Sequence, residues 1–315
     1  MTTDRFTPHG EGLFTGQEHA RESDALNARF IFPPFSVLDA RGGAWRQRKR
    51  AWLALGIESE VGRKGDLIYT NQAQLWDYYR EKTKGKTDAE QIKANKGTGT
   101  SVFDPVLCEL CYTWFCPPGG QVVDPFAGGS VRGIVAGKLG YKYWGGELRA
   151  EQVAANRAQA AKMFKAGDPC APVWVCGDSQ VTVSAAPKAH FLMSCPPYGD
   201  LEKYSDDKDD LSNMTNEEFN RLYAVIIKAA CERLLPGHLA CFVVGEYRLK
   251  KTGMFAGFIQ TTIKAFEAAG LGFYNDAVLV TSVGTLPIRV SAQFDRGKKL
   301  GRTHQNVLVF AKPPQ

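Results

Sequence analysis

Short apolar runs alternate with segments of helical spacing from residue 101 to the end of the chain, and this alternation constrains the fold more than any other feature. Five such runs lie between residues 120 and 247, and two more follow residue 271. The amphipathic segment at residues 216–235 has Thr215 or Asn216 as its expected N-cap. The alternation predicts a doubly wound α/β domain with a seven-stranded, mostly parallel sheet.

The length of 315 residues fits one large domain or one domain with a sizeable extension. We expect an N-terminal extension at residues 1–97 and the α/β domain at residues 98–315. Hydrophobic residues make up 44% of the chain, enough to bury a core, and no apolar run reaches the roughly 20 residues of a membrane helix. The polar N-terminus lacks the apolar segment of a secretory signal, so we expect a cytoplasmic protein without a membrane partner.

The eight cysteines are expected to be reduced, because a chain of this length can stabilise itself by burial. Cys108 and Cys111 form a C-x-x-C pair, but their segment is apolar at helical spacing and no second pair of ligands follows. Structural zinc needs four ligands, so we interpret these residues as buried thiols in a helix and expect no metal.

Basic charge is concentrated in the N-terminal third of the chain. The whole chain has a formal net charge of +6, and residues 41–100 alone hold 13 Lys and Arg against 7 Asp and Glu. Such an excess attracts phosphates, although a solvated lysine-rich surface would have the same composition. Residues 45–52 within it combine Trp45 and Trp52 with four basic residues at helical spacing.

The loop after the first predicted strand has the composition of a ligand-binding turn. It comprises residues 124–130, here called the glycine loop, and its two adjacent glycines permit close backbone approach. Ligands of doubly wound sheets bind outside the carboxyl ends of the strands. Glu147 ends the next strand, 23 residues after Asp124, the first residue of the glycine loop. A carboxylate at this spacing is suited to binding the hydroxyls of a ribose. Asp178, after the third strand, can accept a hydrogen bond from an adenine amino group, so an adenosine-containing ligand is indicated.

These acids favour S-adenosylmethionine over other adenosine-containing ligands. The glycine loop lacks the G-x-G-x-x-G of a dinucleotide site and the Gly-Lys-Ser/Thr of a P-loop. Asp124 would repel a pyrophosphate but suits the cationic amino-acid part of S-adenosylmethionine. The candidate cofactor residues at the three strand ends are Asp124, Pro125, Phe126, Ala127, Gly128, Gly129, Ser130, Glu147, Leu148, Asp178 and Ser179.

A second rigid loop, here called the proline loop, follows the fourth predicted strand. Its residues are Ser194, Cys195, Pro196, Pro197 and Tyr198. The two prolines fix the backbone and remove two donors, which leaves carbonyl acceptors beside an aromatic ring. A base flipped out of a nucleic acid needs such acceptors for its amino group and such a face for stacking. The five residues are therefore catalytic candidates.

The two loops resemble those of the DNA methyltransferases that modify adenine N6 or cytosine N4. That family has D-P-F-x-G-x-G in its cofactor loop and Asp/Asn/Ser-P-P-Tyr/Phe/Trp in its catalytic loop, and the present chain has DPFAGGS and CPPY. The resemblance covers about residues 98–313, and the whole chain is similar to DNA methylases of phages and prophages. It implies a Rossmann-like class I methyltransferase fold, S-adenosylmethionine as cofactor, double-stranded DNA as substrate, and cofactor contacts from Phe103 and Asp104.

Two positions depart from the family pattern. Ser130 replaces the last glycine of the cofactor loop, a mild change at a helix start, where serine caps well. Cys195 stands where the family has an oxygen acceptor, and a thiol accepts hydrogen bonds poorly. In one alternative, Ser194 or the backbone carbonyls accept the hydrogen bond of the target amino group in place of residue 195. In the other, the thiolate of Cys195 attacks C6 of a pyrimidine and Glu246 protonates the ring, which activates C5 for methylation. The usual local motifs of C5 enzymes, Pro-Cys-Gln and Glu-Asn-Val, are not present here.

Two segments are candidates for contact with DNA. Trp45 and Trp52 are suited either to insertion between base steps or to packing against the catalytic domain. Residues 284–305 are expected to form a flexible loop, as a phosphate-contacting element or as a solvated hairpin. The basic residues and the histidine of this loop are Arg289, Arg296, Lys298, Lys299, Arg302 and His304.

Other classes of protein stay open on the sequence alone. Proline-proline-tyrosine loops also occur in RNA and protein methyltransferases, and the basic N-terminal region only favours a polyanion. A nucleic-acid-binding module without catalysis would not need acids at positions 124, 147 and 178. The recognition sequence, the methylated atom and the oligomeric state, a homodimer included, are left open.

Overall fold

The computed structural model describes residues 29–58, 103–197, 214–249, 251–283 and 286–314, together with Asn27. These residues contain eight strands, eight α-helices and a 3-10 turn at Val183–Ala185. The strands are β1 (Val37–Asp39), β2 (Gln121–Asp124), β3 (Lys142–Glu147), β4 (Val173–Cys176), β5 (Ala189–Ser194), β6 (Leu234–Val244), β7 (Gly272–Val280) and β8 (His304–Ala311). The helices are α1 (Gly43–Ala54), α2 (Pro105–Phe115), α3 (Val131–Lys138), α4 (Ala150–Met163), α5 (Ser179–Thr182), α6 (Asn216–Arg233), α7 (Phe258–Ala268) and α8 (Leu286–Gly297). No described helix is both long enough and apolar enough to cross a membrane.

All of these strands form one sheet, in the order β1-β7-β8-β6-β5-β2-β3-β4. Five strand pairs are parallel, and β8 runs antiparallel to both of its neighbours. From β2 the chain builds outward through β3 and β4, and then returns to the other side of β2 for β5 and β6. This is the strand order of a Rossmann-like sheet, and the reversal between β2 and β5 is its topological switch point.

The sheet is mixed and has one strand more than the seven that the sequence predicts. The additional strand, β1, comes from the N-terminal extension and pairs in parallel with β7, so that Val37 lies beside Val278. Three residues are too few to show a period-2 pattern, which is why the sequence did not reveal this strand. The other seven strands overlap the seven predicted runs.

Helices cover both faces of the sheet and create two hydrophobic clusters. One cluster includes residues of α1, α2, α3 and α4, and the other includes residues of α6 and α7. In α6, Phe219 and Tyr223 are fully buried and recur at helical spacing. Thr215 and Glu218 form a capping box at the start of α6, at one of the two predicted N-cap positions.

The predicted buried thiols lie in α2. Cys108 and Cys111 are fully buried, and the Sγ atom of Cys111 is 3.7 Å from that of Cys241 on β6. Burial raises the pKa of Cys108 well above its ordinary value, so this thiol stays protonated and acts as a small apolar side chain.

The basic helix α1 packs its tryptophans against α2. Trp45 is 2% exposed and Trp52 is 1% exposed, so the prediction that these rings insert between base steps is wrong and the packing alternative is correct. Nε1 of Trp52 donates to Oε2 of Glu109 at 2.8 Å, and Arg48 donates two hydrogen bonds of 2.6 Å to the same carboxylate. The buried charge of Glu109 is thereby compensated, as a carboxylate in a core requires.

The basic segment after β7 is largely helical, so the prediction of a flexible loop is wrong there. Helix α8 occupies Leu286–Gly297, and the non-helical part begins at Lys298. Leu286, Val290 and Phe294 recur at every fourth position, a helical spacing that the flanking glycines and the proline concealed. The side chain of Arg289 lies outside the described part of the chain.

Candidate active site

The carboxyl ends of β2, β3, β4, β5 and β6 lie along one edge of the sheet, because these strands run parallel. The glycine loop leaves β2 and passes into α3. The proline loop leaves β5, which is the neighbour of β2 across the switch point. The two loops are therefore adjacent, at the crevice where Rossmann-like sheets bind their ligands.

Asp124 is the last residue of β2 and is completely buried. Its Oδ1 accepts hydrogen bonds from Oγ of Ser194 at 2.5 Å and from the N–H of Phe126 at 3.1 Å. Its Oδ2 accepts from Nε of Arg132 at 2.6 Å and from the hydroxyl of Tyr143 at 2.7 Å. The carboxylate thus ties the glycine loop to the proline loop.

Arg132, in the first turn of α3, is a site residue that the sequence did not reveal. Besides Asp124, its guanidinium donates to the carbonyl oxygens of Phe126 at 2.6 Å and Ala127 at 2.9 Å, and the ring of Phe103 lies 4.7 Å from it. Although burial acts to lower it, the charge of Asp124 raises the pKa of Arg132 above its ordinary value, so the guanidinium stays protonated. The available signal was a basic residue in an apolar helix, eight positions after the acid of the loop.

Glu147 and α4 hold the glycine loop from its other side. Gly128 adopts a left-handed φ of 52°, and its N–H donates to Oε2 of Glu147 at 3.0 Å. Oε1 of the same carboxylate accepts from the N–H of Arg149 at 3.0 Å, and the carbonyl of Gly128 accepts from Nδ2 of Asn156 at 2.8 Å. The acid predicted to bind a ribose therefore contacts the loop predicted to hold the cofactor.

Ser130 does not cap α3 with its side chain, so the predicted capping role is wrong. Its backbone is already helical, with φ −71° and ψ −16°, whereas a capping residue has extended dihedral angles. The hydroxyl instead donates to Oε1 of Gln159, a buried side chain of α4. The end of the glycine loop is thereby fixed to α4.

Asp178 and Ser179 follow β4 at the same edge of the sheet. Asp178 is the N-cap of α5, and its two oxygens accept from the N–H and from the side-chain amide of Gln180, at 2.9 and 2.8 Å. Ser179 is buried, and its hydroxyl donates to the carbonyl of Pro125 at 2.6 Å. The carbonyl of Leu148 accepts from the Sγ of Cys176 at a longer distance of 3.6 Å. The ends of β2, β3 and β4 are therefore directly connected.

Asp104 is held by the N-terminal segment. It is the N-cap of α2, where Oδ1 accepts from the N–H of Val106 at 2.9 Å. Its Oδ2 accepts from Nε1 of Trp45 at 3.3 Å and lies 3.1 Å from Nζ of Lys49. Phe103, the preceding residue, reaches the glycine loop through its contact with Arg132.

Within the proline loop, Ser194 faces the interior and Cys195 lies at its boundary. Ser194 is 0% exposed and donates to Asp124, so its hydroxyl is out of reach of a substrate. Cys195 is partly buried against the core. Pro196 is buried, whereas Tyr198 lies outside the described residues.

Glu246 lies between β6 and α7. Its Oε1 accepts hydrogen bonds from the N–H groups of Tyr247, Gly257 and Phe258, each at 3.1 Å. Accepting from the first N–H groups of a helix satisfies donors that have no partner within the helix. This carboxylate therefore has a structural role at the start of α7.

No family model matches the chain, and no curated protein matches it. Among solved structures, TrmN from Thermus thermophilus is 16% identical, with a TM-score of 0.43 over 67% of this chain and 49% of that chain. A candidate DNA modification methylase, also from Thermus thermophilus, is 16% identical, with a TM-score of 0.34 over 44% of this chain and 53% of that one. A candidate RNA methyltransferase from Pyrococcus horikoshii is 19% identical, with a TM-score of 0.40 over 66% and 82% of the two chains. The chain spans about half the length of the first two, and at these TM-scores the similarities carry no functional argument.

Proposed function

We propose that the protein transfers a methyl group from S-adenosylmethionine to an exocyclic amino group, cytosine N4 or adenine N6, of a base flipped out of double-stranded DNA. The observation that carries the proposal is the hydrogen bond from Ser194 to Asp124, which joins the proline loop to the glycine loop at the switch point. Methyl transfer requires the cofactor and the target base to be held side by side. A single buried carboxylate that anchors both loops serves that requirement.

The residues around the glycine loop fit S-adenosylmethionine. Glu147 and Asp178 are partly exposed carboxylates that follow β3 and β4, and they suit the hydroxyl and amino donors of an adenosine. The same acids would repel a diphosphate. The left-handed backbone at Gly128 lets the loop approach a ligand closely. When bound, S-adenosylmethionine supplies an electrophilic methyl group beside the proline loop.

The proline loop supports an amino group as the methyl acceptor. Pro196 and Pro197 have no N–H, so the backbone at this position offers acceptors to a donating amino group. Carbonyl dipoles aimed at the nitrogen stabilise the positive charge that develops on it during methylation. Because the hydroxyl of Ser194 is buried, the backbone carbonyls take the place of the missing oxygen acceptor at Cys195. Oε1 of Glu246 accepts hydrogen bonds from the N–H groups of Gly257 and Phe258 at the start of α7. This structural role accounts for an acid at position 246 without a part in methylation at C5.

DNA as the substrate is supported by the position of the basic segment before β8. This segment connects α8 to the amino end of β8, which lies at the same edge as the carboxyl end of β6, because the two strands are antiparallel. Lys298, Lys299 and Arg302 follow α8 there. Phosphate contacts from such residues would position a duplex over the two loops.

Transfer of a tritium-labelled methyl group tests the proposal. The purified protein is incubated with labelled S-adenosylmethionine and equal masses of plasmid DNA, ribosomal RNA or a protein extract. We expect the label in DNA, and we expect Glu147→Ala to lower it by at least about tenfold because the contact to the glycine loop is lost. The matched control is Glu151→Ala, an exposed acid in the first turn of α4, which should leave transfer unchanged. Label that enters only RNA or only protein would overturn the proposal.

A further inference from the structure

A hairpin at residues 247–256 lies beside the proline loop, and the proposed reaction gives it no role. It follows β6, which is parallel to β5, and Phe242 of β6 is paired with Ser194. The hairpin therefore leaves the sheet at the same edge as the proline loop. A base held at that loop would have the hairpin as a neighbour.

The hairpin is fixed to the core at its base. Tyr247 is buried, and its hydroxyl donates to Oδ1 of Asn216 at 2.8 Å. The N–H of Leu249 donates to the carbonyl of Met254 at 2.9 Å, and Gly253 turns the chain with a left-handed φ of 72°. A segment held in this way presents its tip without a large ordering cost on binding.

The tip of the hairpin exposes two large apolar side chains. Met254 is 69% exposed and Phe255 is 54% exposed. The guanidinium of Arg248 lies 4.0 Å from the centre of the Phe255 ring and supports the ring from one side. The two adjacent apolar side chains are therefore available for contact with a partner.

The sequence of the hairpin and of the segment from α8 to β8 is rich in basic residues. Residues 247–256 and 286–303 together contain eight Lys and Arg and a single acid, Asp295. A Cβ at Gly253 would lie 2.7 Å from Nζ of Lys299, so this ammonium group lies against the turn of the hairpin. The centre of a protein interface is depleted in lysine, whereas the phosphates of a duplex attract this density of positive charge.

We propose that this hairpin inserts Met254 and Phe255 between bases of a DNA duplex, while Arg248 and Lys299 contact the flanking phosphates. The inference rests on the proposed function, in which DNA is the substrate. Apolar side chains inserted at a base step unstack it, and an enzyme that acts on a base must first take that base out of the stack. Insertion between base steps was one role considered for Trp45 and Trp52, which are buried. We assign that role to the hairpin instead.

Chemical probing of a supercoiled plasmid of mixed sequence tests the insertion. Chloroacetaldehyde modifies unpaired adenines and cytosines, and permanganate oxidises unstacked thymines, so no recognition sequence has to be known. The plasmid is probed with saturating protein and S-adenosylhomocysteine, which prevents turnover. The double variant Met254→Ser/Phe255→Ser is compared with Phe35→Ser, an exposed phenylalanine that precedes β1 at the opposite edge of the sheet.

We expect discrete reactive sites with the wild type and with Phe35→Ser, and a loss of reactivity on the order of tenfold with the double variant at equal DNA occupancy. Lys299→Ala should reduce the slope of log binding constant against log salt by about one, and Lys165→Ala should not. Reactivity that persists in the double variant, or bound DNA without reactive bases, would overturn the insertion. So would a wild-type protein that does not bind the plasmid.

Methyl transfer measured with the same preparations separates this inference from the function on which it rests. If the wild type methylates DNA and the double variant does so at an equal rate, the insertion is wrong and the proposed function stands. If the wild type transfers no label to DNA, the proposed function itself fails.

Discussion

Ser194 donates a hydrogen bond of 2.5 Å to Asp124 across the switch point of the sheet. The two residues are 70 positions apart in the chain, and both side chains are completely buried. A hydrogen bond to a charged group in a low-dielectric interior is strong, and its loss leaves an acceptor without a donor. The spacing of the two loops therefore depends on this pair.

Replacement of Ser194 by alanine should loosen the two loops without unfolding the protein. Asp124 keeps its bonds to Arg132, Tyr143 and the N–H of Phe126, so the expected loss is about 1.5–3 kcal/mol of unfolding free energy. We also expect weaker binding of S-adenosylmethionine, because the glycine loop is less well fixed. Urea denaturation and calorimetric titration measure the two effects.

Ser184→Ala is the control for this substitution. The hydroxyl of Ser184 donates to the carbonyl of Val181 at 2.7 Å in an exposed turn, so its loss should change stability by no more than about 0.5 kcal/mol. Equal losses for Ser184→Ala and Ser194→Ala would mean that the bond to Asp124 has no special importance.

Arg132→Met should be among the most destabilising single substitutions in the site. It leaves the carboxylate of Asp124 buried without its cation, which costs about 3–5 kcal/mol. Adding Asp124→Asn removes that uncompensated charge, so the double variant should lose less than the sum of the two single variants. Urea denaturation of the four proteins of this cycle measures the coupling, and additive losses would show that the two side chains do not act as a pair.

Both loops of the site could be predicted from the sequence, because each is a local signal. A short apolar strand followed by an acid and glycines, or by two prolines, can be recognised from about ten consecutive residues. The network beneath the loops could not be predicted in the same way. Asp124 accepts hydrogen bonds from Ser194 and Tyr143 only because β5 and β3 flank β2. The order of the strands in the sheet cannot be inferred from short stretches of sequence.

The composition of the N-terminal segment likewise did not determine whether α1 contacts DNA or packs against the domain. Tryptophans among arginines fit a DNA-binding helix and a packed helix equally well, since a basic exposed face is compatible with both. The outcome depends on Glu109, a buried acid 57 residues after Trp52 that accepts hydrogen bonds from both Trp52 and Arg48. Only the tertiary structure brings such partners together.

Arg48→Met should therefore destabilise the contact between α1 and α2. It leaves Glu109 fully buried with the Trp52 indole but without its cation, at a cost of about 3–5 kcal/mol. Arg50→Met is the control, because Arg50 is exposed on the same helix and its change should be within about 0.5 kcal/mol. Thermal unfolding compares the two variants, and similar melting temperatures would contradict the role assigned to Glu109.

His190 should make the protein less stable in mild acid. Its Nδ1 accepts from the N–H of Gln121 at 3.0 Å, so this nitrogen carries no proton in the folded state. Burial first, and then His238 and Lys142, lower the pKa of His190 from its ordinary 6.5. The unfolded chain binds a proton where the folded chain does not, so stability falls as the pH decreases from about 6.5 and levels off below the lowered pKa.

His190→Asn tests this pH dependence, because asparagine does not titrate. The unfolding free energy of the variant should decrease less than that of the wild type between pH 7 and pH 5. Part of the decrease should remain, because burial first and then Arg302 also lower the pKa of His304. A variant whose pH profile runs parallel to that of the wild type would show that His190 does not contribute.

The most direct test of the proposed reaction is the identity of the methylated base. DNA from cells that express the wild type or Cys195→Ser is digested to nucleosides and analysed by mass spectrometry with chromatographic standards. We predict that N4-methylcytosine or N6-methyladenine accumulates with both proteins, because a serine at this position also supplies an oxygen acceptor. Accumulation of 5-methylcytosine with the wild type and its loss with Cys195→Ser would contradict the account, because it would make the thiol of Cys195 the nucleophile.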